Sequence, residues 1–592
     1  RRPGLPADTL DAALRAGKTL AAAGDVGSAT KVIAAACRGV CPAEGAAEAF
    51  SALAAGIDVA GGFDEAFGVV RFLSSVPPDS AVYEPARRAL GAARSALTAR
   101  ERVEAEDSLL AGRWSDGIVS FDRLRRELGD QREFNRHLLL KAKEFQGATA
   151  TGPCVPIGLA GVRDPAAPSR NIGRPHVAWT GREYLVVWSD GRAAPETAST
   201  QQVHLQRLDA VGRRLEAADK TMSPPGVDAR RPAVDFAGKH GGVVWHEVAG
   251  QGGRIVFVPI DFLGNAIGTP SVVAQAPTRS PFATVAVTRS GSGSAYAVAW
   301  QGRETLTARS ADSNGYVWVR VGAPATEAGR RTIVRDVATI AFLDDSGAVV
   351  DGPRTLEGPA VQRPDGNRET RRGMPRPAWT RLPDVAGTPD GFVVTWEEDR
   401  SGDVAVIAAA FGPRGGEPLW TRTVTPEGVA PSSIEGRMPA VAVDGGRGRA
   451  AVIWVDRRPS PDVMFVSTLG PDGGILSTVP AARGTVRFLG GAVTGDRIVA
   501  AWWMRGRPSR LGLIPCDLAG SCPMTAGSGD TPGDFPLVGP DSRVGLAPGA
   551  AVGEIVAVWK ETPGSSGAAD DDETDEGPTA GDEVFFVRFR CS

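Results

Sequence analysis

The 592-residue sequence predicts a multidomain α plus all-β protein, with N-terminal α-helical hairpin repeats over residues 1–150 followed by a seven-bladed β-propeller over residues 151–592. Three observations carry this expectation. Residues 8–146 are rich in Ala, Leu, Glu and Arg, with apolar residues at helical spacing. Beyond Cys154 the texture changes to short runs of Val, Ile, Ala, Phe and Trp separated by Gly, Pro, Asp and Arg, as many short strands require. A strand of the Val-x-Trp type then recurs seven times, ending at Trp188, Trp245, Trp300, Trp396, Trp454, Trp503 and Trp559.

In chain order, the helical pattern places helices at 8–23, 27–38, 43–60, 63–75, 83–111, 115–128 and 130–145. Asp8 is expected to cap the first, and Pro85 falls in the first turn of the fifth, where a missing N–H costs little. The turns Ala23-Gly24-Asp25, Gly61-Gly62-Phe63-Asp64 and Ala111-Gly112-Arg113-Trp114 each join two helices, which reads as three stacked hairpins plus a solvating cap helix.

Successive separations of the seven Trp residues, by subtraction, are 57, 55, 96, 58, 49 and 56, so one unit is about 55 residues and the third carries an insertion near 302–338. Four strands with their turns fill that length, the size of a propeller blade. Each Trp is expected to sit between blades with its indole N–H on a neighbouring carbonyl. Asp190 with Arg192, Asp399 with Arg400 and Asp456 with Arg457 recur after the Trp residues. Repetition points to turns or inter-blade ion pairs, the alternative being a charge cluster at a propeller mouth. Each unit closes on Asp-x-x-Gly or a similar turn.

Six cysteines fall into pairs, Cys37 with Cys41, Cys154 with Cys591 and Cys516 with Cys522, expected as three disulfides. Cys154 and Cys591 bracket the β region, so their bridge clasps the ring where it closes. Oxidised pairs place the protein outside the cytoplasm, in the periplasm, on the cell surface or secreted. The chain begins Arg1-Arg2-Pro3 without Met, so a leader or another upstream part is expected to precede it. A net charge of -3 gives no pull toward nucleic acid, and no apolar run reaches the roughly 20 residues of a membrane-spanning helix.

Candidate chemistry is sparse. His137, His176, His204, His240 and His246 are scattered, and neither a Gly-x-Ser-x-Gly elbow nor a P-loop is present. The acidic run Asp570–Glu576 reads as a solvated loop; calcium is the alternative, although the Asp-x-Asp-x-Asp-Gly order is missing.

Three resemblances add to this reading. Ala105–Phe121, in which a small residue and Gly end one helix and an aromatic opens the next, resembles the tetratricopeptide pattern and implies a concave protein-binding face. The Trp-bearing phrase over about 170–590 resembles repeats of predicted exported proteins of myxobacteria and related GC-rich bacteria, which implies a propeller and no activity. Ser310-Ala311-Asp312-Ser313-Asn314-Gly315-Tyr316-Val317-Trp318 resembles the Asp-box of sialidases, one residue too long and without its Thr. In that family the box is a structural hairpin away from the active site.

The function expected is a non-catalytic extracytoplasmic binding scaffold with protein partners and no cofactor. The alternative is a polysaccharide-binding or glycoside-cleaving propeller. Arg113 and Trp114 in the helical segment, and Tyr316 and Trp318 in the third-blade insertion, are the candidate partner-binding residues.

Overall fold

The computed structural model describes residues 6–37, 41, 43–130, 132–147, 153–165, 167, 171–192, 200–249, 252–276, 282–288, 295–311, 315–320, 332–358, 379–400, 403–426, 439–456, 461–484, 486–504, 509–519, 521–522, 535–537, 544–561 and 582–592. The chain divides into two compact units, 1–146 and 147–592.

The first unit holds seven α-helices: α1 (Ala7–Ala22), α2 (Val26–Ala36), α3 (Ala43–Ala55), α4 (Phe63–Ser74), α5 (Tyr83–Leu110), α6 (Trp114–Arg126) and α7 (Glu133–Gly147). The third breaks earlier than the sequence predicts, at Gly56, where a 3-10 turn over Gly56–Val59 takes over. A Cβ at Gly56 would meet Val26 Cγ2 at 2.9 Å, so the bare backbone is what lets α2 pack there. Asp8 is not a cap. The residue before α1 is Pro6, and Asp8 lies in the first turn, where its charge meets the positive end of the helix dipole.

Two of the turns are the same device. Gly24 donates its N–H to Ala21 and Asp25 to Leu20, just as Gly112 donates to Leu109 and Arg113 to Ser108. Gly24 at φ +89° and Gly112 at φ +70° take the left-handed conformation this ending demands. The residue that closes one helix therefore opens the next, and Asp25 accepts the Ser28 N–H as the cap of α2. Helices α1, α3 and α5 contact one another in sequence, while α2 packs on α1 and α4. Their shared core includes Leu14, Ile33, Phe50, Leu53, Val69 and Leu97.

Among the described residues the second unit is a ring of seven antiparallel sheets, six of four strands and one of five. Blade one comprises β2 (His176–Trp179), β3 (Tyr184–Asp190), β4 (Gln202–Leu208) and β5 (Lys220–Thr221). Blade two comprises β6 (Ala229–Ala237), β7 (His240–Ala249), β8 (Gly252–Asp261) and β9 (Ser271–Ala276). Blade three comprises β10 (Thr284–Val287), β11 (Tyr296–Ala311), β13 (Thr332–Leu343) and β14 (Val349–Thr355), with an extra strand β12 (Gly315–Arg320) on β11. Blade four is β15 (Trp379–Thr388) to β18 (Gly415–Thr423), and blade five β19 (Ala440–Val443) to β22 (Ile475–Arg483). Blade six runs from β23 (Val486–Thr494) through β24 (Arg497–Met504) and β25 (Ser509–Asp517) to β26 (Phe535–Leu537).

Blade seven is assembled from both ends of the unit. Its inner strands are β27 (Gly545–Pro548), β28 (Glu554–Glu561) and β29 (Glu583–Cys591), and its outermost strand is β1 (Cys154–Gly161), which pairs with β29 in a register that sets Cys154 opposite Cys591. The two cysteines are bonded, as are Cys37 with Cys41 and Cys516 with Cys522. Cys154 thus belongs to blade seven, one element further round the ring than a position just ahead of blade one.

Alternation along the second strand of each blade puts the Trp on the face turned to the preceding blade. Trp245 joins residues of blade one, Trp300 of blade two, Trp396 of blade three and Trp454 of blade four in their shared cores. In blade six the residue in this place is Trp502, packed among Ala440, Ile453 and Met464 of blade five, and not Trp503. Two consecutive Trp residues hide a one-residue slip, which would turn every side chain of the strand to its other face.

The recurring Asp-x-x-Gly is a latch at the turn between third and outermost strands. Asp209, Asp261, Asp344 and Asp517 each accept backbone N–H groups across their own turn. The turn then grips the neighbouring blade: Lys220 donates to the Leu263 carbonyl, Ser271 to Gly347 and Trp420 to Pro471. Gly473, at φ +77°, would drive a Cβ to 2.5 Å from the Trp420 ring, so this turn accepts no side chain.

Replacing Cys154 and Cys591 together by Ala is expected to lower the stability of the ring by about 2–4 kcal/mol in denaturant unfolding followed by Trp fluorescence. An unchanged unfolding midpoint would show that the bridge contributes nothing to closure.

Candidate functional site

Antiparallel order within a blade fixes which connections share a face. The end of the second strand, the start of the third, the end of the outermost strand and the start of the next blade's inner strand all lie at one end of the ring. The strand ends joined by residues 162–175, 356–378, 424–439 and 562–582 lie there, together with the end of β11 and the start of β13. On the opposite face the tight turns and latches lie, and 518–534 alone is of comparable length. The 96-residue interval between Trp300 and Trp396 therefore contains two additions on the same face, the extended hairpin and 356–378.

The second strands reach this loop-bearing face with a Trp-x-acid ending: Trp188-x-Asp190, Trp245-x-Glu247, Trp396-x-Glu398, Trp454-x-Asp456 and Trp559-x-Glu561. Residues two apart share a face, so the acid can meet the indole beside it. Trp245 Nε1 donates to Glu247 at 3.2 Å, Trp396 to Glu398 at 3.3 Å and Trp559 to Glu561 at 3.3 Å. The expected partner, a neighbouring carbonyl, is replaced by a carboxylate of the same strand; in blade five the acceptor is the Ser467 hydroxyl, at 2.9 Å. All five acids are buried.

In blade one the ending grows into a network. Arg192 bonds Asp190 at 2.7 Å and Asp219 at 2.9 Å, and His204 Nδ1 lies 3.5 Å from Asp219. Burial works against the Asp219 carboxylate, but the His204 hydrogen bond and the Arg192 charge hold it down at about 2. At the ring closure Arg163, immediately beyond β1, bonds Glu583 at 2.8 Å, and Arg214 donates to the Arg163 carbonyl. Glu583 is wholly enclosed, and burial pushes its carboxyl up to about 7 against the pull of Arg163. The neighbouring Asp582 accepts the Ile172 N–H. These charges tie blade seven to the segment that enters blade one.

The innermost strands line an axial channel of about 470 Å³. Three of its polar groups are spent between blades. His176 accepts the Val234 N–H, Asp235 the Val287 N–H and Asp384 the Val441 N–H, each serving the next inner strand. Inner strands are sheet edges, and these side chains satisfy donors that the channel would otherwise leave unpaired. At equivalent positions, Arg231 within β6, Phe282 just before β10 and Leu382 within β15 take positive φ of 53°, 47° and 53°, with register shifts marking bulges beside Arg231 and Leu382. Arg231 stacks over the Phe282 ring at 4.6 Å.

The residues singled out in the sequence fall in different places. Arg113 bonds Ser108 Oγ at 3.1 Å and pairs with Asp116 at 3.3 Å, and Trp114 packs its ring 5.5 Å from Phe145 of α7. Tyr316 and Trp318 lie on β12, opposite Ser310 and Ala308 of β11. A groove of about 630 Å³ in the helical unit lies instead between α3 and α5, floored by Ser51, Ala55, Ala92 and Ala96 and flanked by Asp58 and Arg88. The acidic run Asp570–Glu576, with its calcium alternative, lies outside the described residues, as does Arg457. Among the described residues no group of three or more His, Cys, Asp and Glu is placed to hold a metal, and no helix is long and apolar enough to cross a membrane.

No family model matches the chain, and no curated protein matches it in sequence. Solved structures with a similar fold include the subtype N11 neuraminidase-like protein of A/flat-faced bat/Peru (H18N11), at 11% identity and a TM-score of 0.34 over 75% of this chain and 94% of that one. A subtype N10 neuraminidase-like protein of A/little yellow-shouldered bat/Guatemala is similar at 10% identity and a TM-score of 0.33, over 74% of this chain and 99% of that one. The α-L-arabinanase of Penicillium chrysogenum complexed with arabinobiose is similar at 12% identity and 0.34, over 61% and 98%. Likeness at this level assigns no residue of this chain a role.

His246, one of the histidines scattered in the sequence, is enclosed by the ring. It follows Trp245 and so faces the other side, toward blade three, where it is 1% exposed. Gly253 makes room for it: a Cβ there would lie 2.4 Å from Nε2. Burial, and then the charges of Arg231 and Arg230, lower its pKa to about 4. A histidine whose folded pKa lies below its unfolded value stabilises fully above about pH 6.5, and that stability is lost as pH falls toward 4. Wild-type protein is therefore expected to lose about 3 kcal/mol more than His246→Leu between pH 7 and pH 4, read from urea unfolding at each pH. Parallel pH profiles for the two proteins would refute the assignment.

Proposed function

We propose that this protein is a non-catalytic extracytoplasmic binding scaffold that holds a protein partner on the loop-bearing face of its propeller. The observation that carries the reading is the sorting of the long connections: four of them, with the extended hairpin of blade three, join strands at one face of the ring, against 518–534 alone at the other. Insertions on a repeat scaffold carry binding surface because the ring tolerates them without altering its core. Of the perturbed ionisable groups beneath that face, Glu583 and His246 are buried between strands and blades, and the half-buried Asp219 is paired with Arg192.

Three disulfides support a location outside the cytoplasm, in the periplasm, at the cell surface or secreted. The helical unit, tetratricopeptide-like in its repeated glycine turns, offers a second protein-binding surface in its α3–α5 groove. A polysaccharide-processing propeller would need carboxylates free to meet a sugar, whereas Asp235 and Asp384 at the channel accept backbone N–H groups.

The test is cross-linking mass spectrometry of the full chain in native envelope extract, beside a glycan array. A stoichiometric protein partner cross-linked to 356–378, 424–439 or 562–582 is the expected result. Cross-links confined to the latch face, or retention on glycans without a protein partner, would overturn the proposal.

A further inference from the structure

The inner strands hold their polar residues at different depths of the axial channel. Each pairs with a second strand whose Trp marks a height in the ring, so residues opposite the same offset from Trp share a level. Opposite the residue before Trp stand His176, Thr284 and Asp384. Opposite the third residue before Trp, blade two presents Asp235 and the other six blades present alanine: Ala178, Ala286, Ala386, Ala442, Ala492 and Ala547. Two residues further toward the latch face comes Asp444, just beyond β19, with its N–H on the Arg449 carbonyl. Asp384, Asp235 and Asp444 therefore descend the channel in steps of two residues, about 7 Å each.

Thr284 differs from the two residues at its level. His176 and Asp384 reach across to an N–H of the next blade, but the shorter Thr284 side chain does not. Its Oγ1 meets no hydrogen-bond partner among the described residues, although Thr284 lines the channel and is only 5% exposed. A buried hydroxyl in that state is satisfied by a polar ligand in the channel. The surrounding charge selects the kind of ligand. All three aspartates line the channel, whose wall is otherwise largely valine, alanine and glycine, and Arg174 is the one arginine or lysine among the described lining residues, on the loop-bearing side of His176. Asp235 and Asp384 each accept an N–H of the next blade, and Asp444 that of Gly446. Such bonds do not discharge a carboxylate, which has lone pairs for about four donors.

We infer that the axial channel binds a linear aliphatic polyamine that enters from the latch face, with one ammonium group at the level of Thr284 and Asp384, the next at Asp235 and the last at Asp444. An ammonium group carries three donors and no acceptor, which suits a hydroxyl oxygen set among carboxylates. Two nitrogens joined through four carbons are separated by five single bonds of about 1.5 Å in extended zigzag, which matches the step between successive aspartates. The methylenes between them lie against alanine and valine, and a channel of about 470 Å³ admits such a chain. Among the described residues no three His, Cys, Asp and Glu side chains gather as a metal ion requires, so the negative charge is spread along the axis as a chain of ammonium groups requires. Arg174 closes the loop-bearing end to a cation, and Asp444 marks the end that admits one. The site lies between the inner strands, so the inference stands independently of the scaffold reading.

The test is isothermal titration calorimetry of the full chain with spermidine, beside n-butylamine and magnesium chloride. Expected is one spermidine per chain, bound about tenfold more tightly than n-butylamine because several charges are met at once. Asp235→Asn and Asp444→Asn are each expected to weaken it about fivefold, and Thr284→Val about threefold. Asn at 235 keeps an oxygen for the Val287 N–H, and Val at 284 removes only the hydroxyl. Should either buried variant lower the unfolding midpoint, Asp444→Asn, in the turn at the channel mouth, decides alone. The proposal fails if spermidine does not bind, if n-butylamine binds as tightly, or if magnesium binds with the same dependence on these variants. It also fails if binding is indifferent to the variants and is lost instead when the acidic run Asp570–Glu576 is replaced by serines.

Discussion

Everything in the propeller depends on one strand pairing, that of β1 with β29. A blade buries both its faces against its neighbours, so each is stable only if the next is in place, and a ring has no terminal blade able to end the series. Here the last blade borrows its outermost strand from the start of the unit, and the Cys154–Cys591 bond fixes that loan across 437 residues of sequence. Arg163 leaves β1 directly onto the buried Glu583, and Asp582 holds the Ile172 N–H on the way into blade one. Closure is thus secured by a sheet edge held at one end by a covalent bond and at the other by a buried ion pair.

Once the ring is closed, polar chemistry is distributed by the same requirement. Inner strands would leave donors facing the channel, and His176, Asp235 and Asp384 satisfy them across blade boundaries. Outer turns would be loose, and Lys220, Ser271 and Trp420 pin them to the neighbouring blade. Large indoles would bury an unsatisfied N–H, and Glu247, Glu398 and Glu561 accept it two residues along the same strand. What is left to vary is the loop-bearing face, where added length costs the core nothing.

Much of this was legible in the sequence because a repeated contact leaves a repeated residue. The Trp interval gave the blade number, and the glycine turns gave the helices to within a few residues. Cysteine pairing told where the ring closes. Other parts were hidden for identifiable reasons. Strand β1 has no Trp and so did not register as part of a blade, and the doubled Trp502-Trp503 concealed the register of blade six. The role of Glu247 and its equivalents was visible only as an acid after each Trp, since a strand's period of two must be known before Glu398, and not Asp399, is seen to share the indole's face. His246 could not be distinguished from a solvent-facing histidine without the glycine opposite it.

Native-state hydrogen exchange of the full chain, resolved by mass spectrometry across the second strands of all seven blades, tests most directly the claim that the ring is one cooperative body closed by β1. The account predicts that peptides containing Trp188, Trp245, Trp300, Trp396, Trp454, Trp502 and Trp559 open with a single common free energy. Blades seven and one exchanging well ahead of the rest would contradict it, because closure would then be the weakest point of the ring and not the interaction on which the others depend.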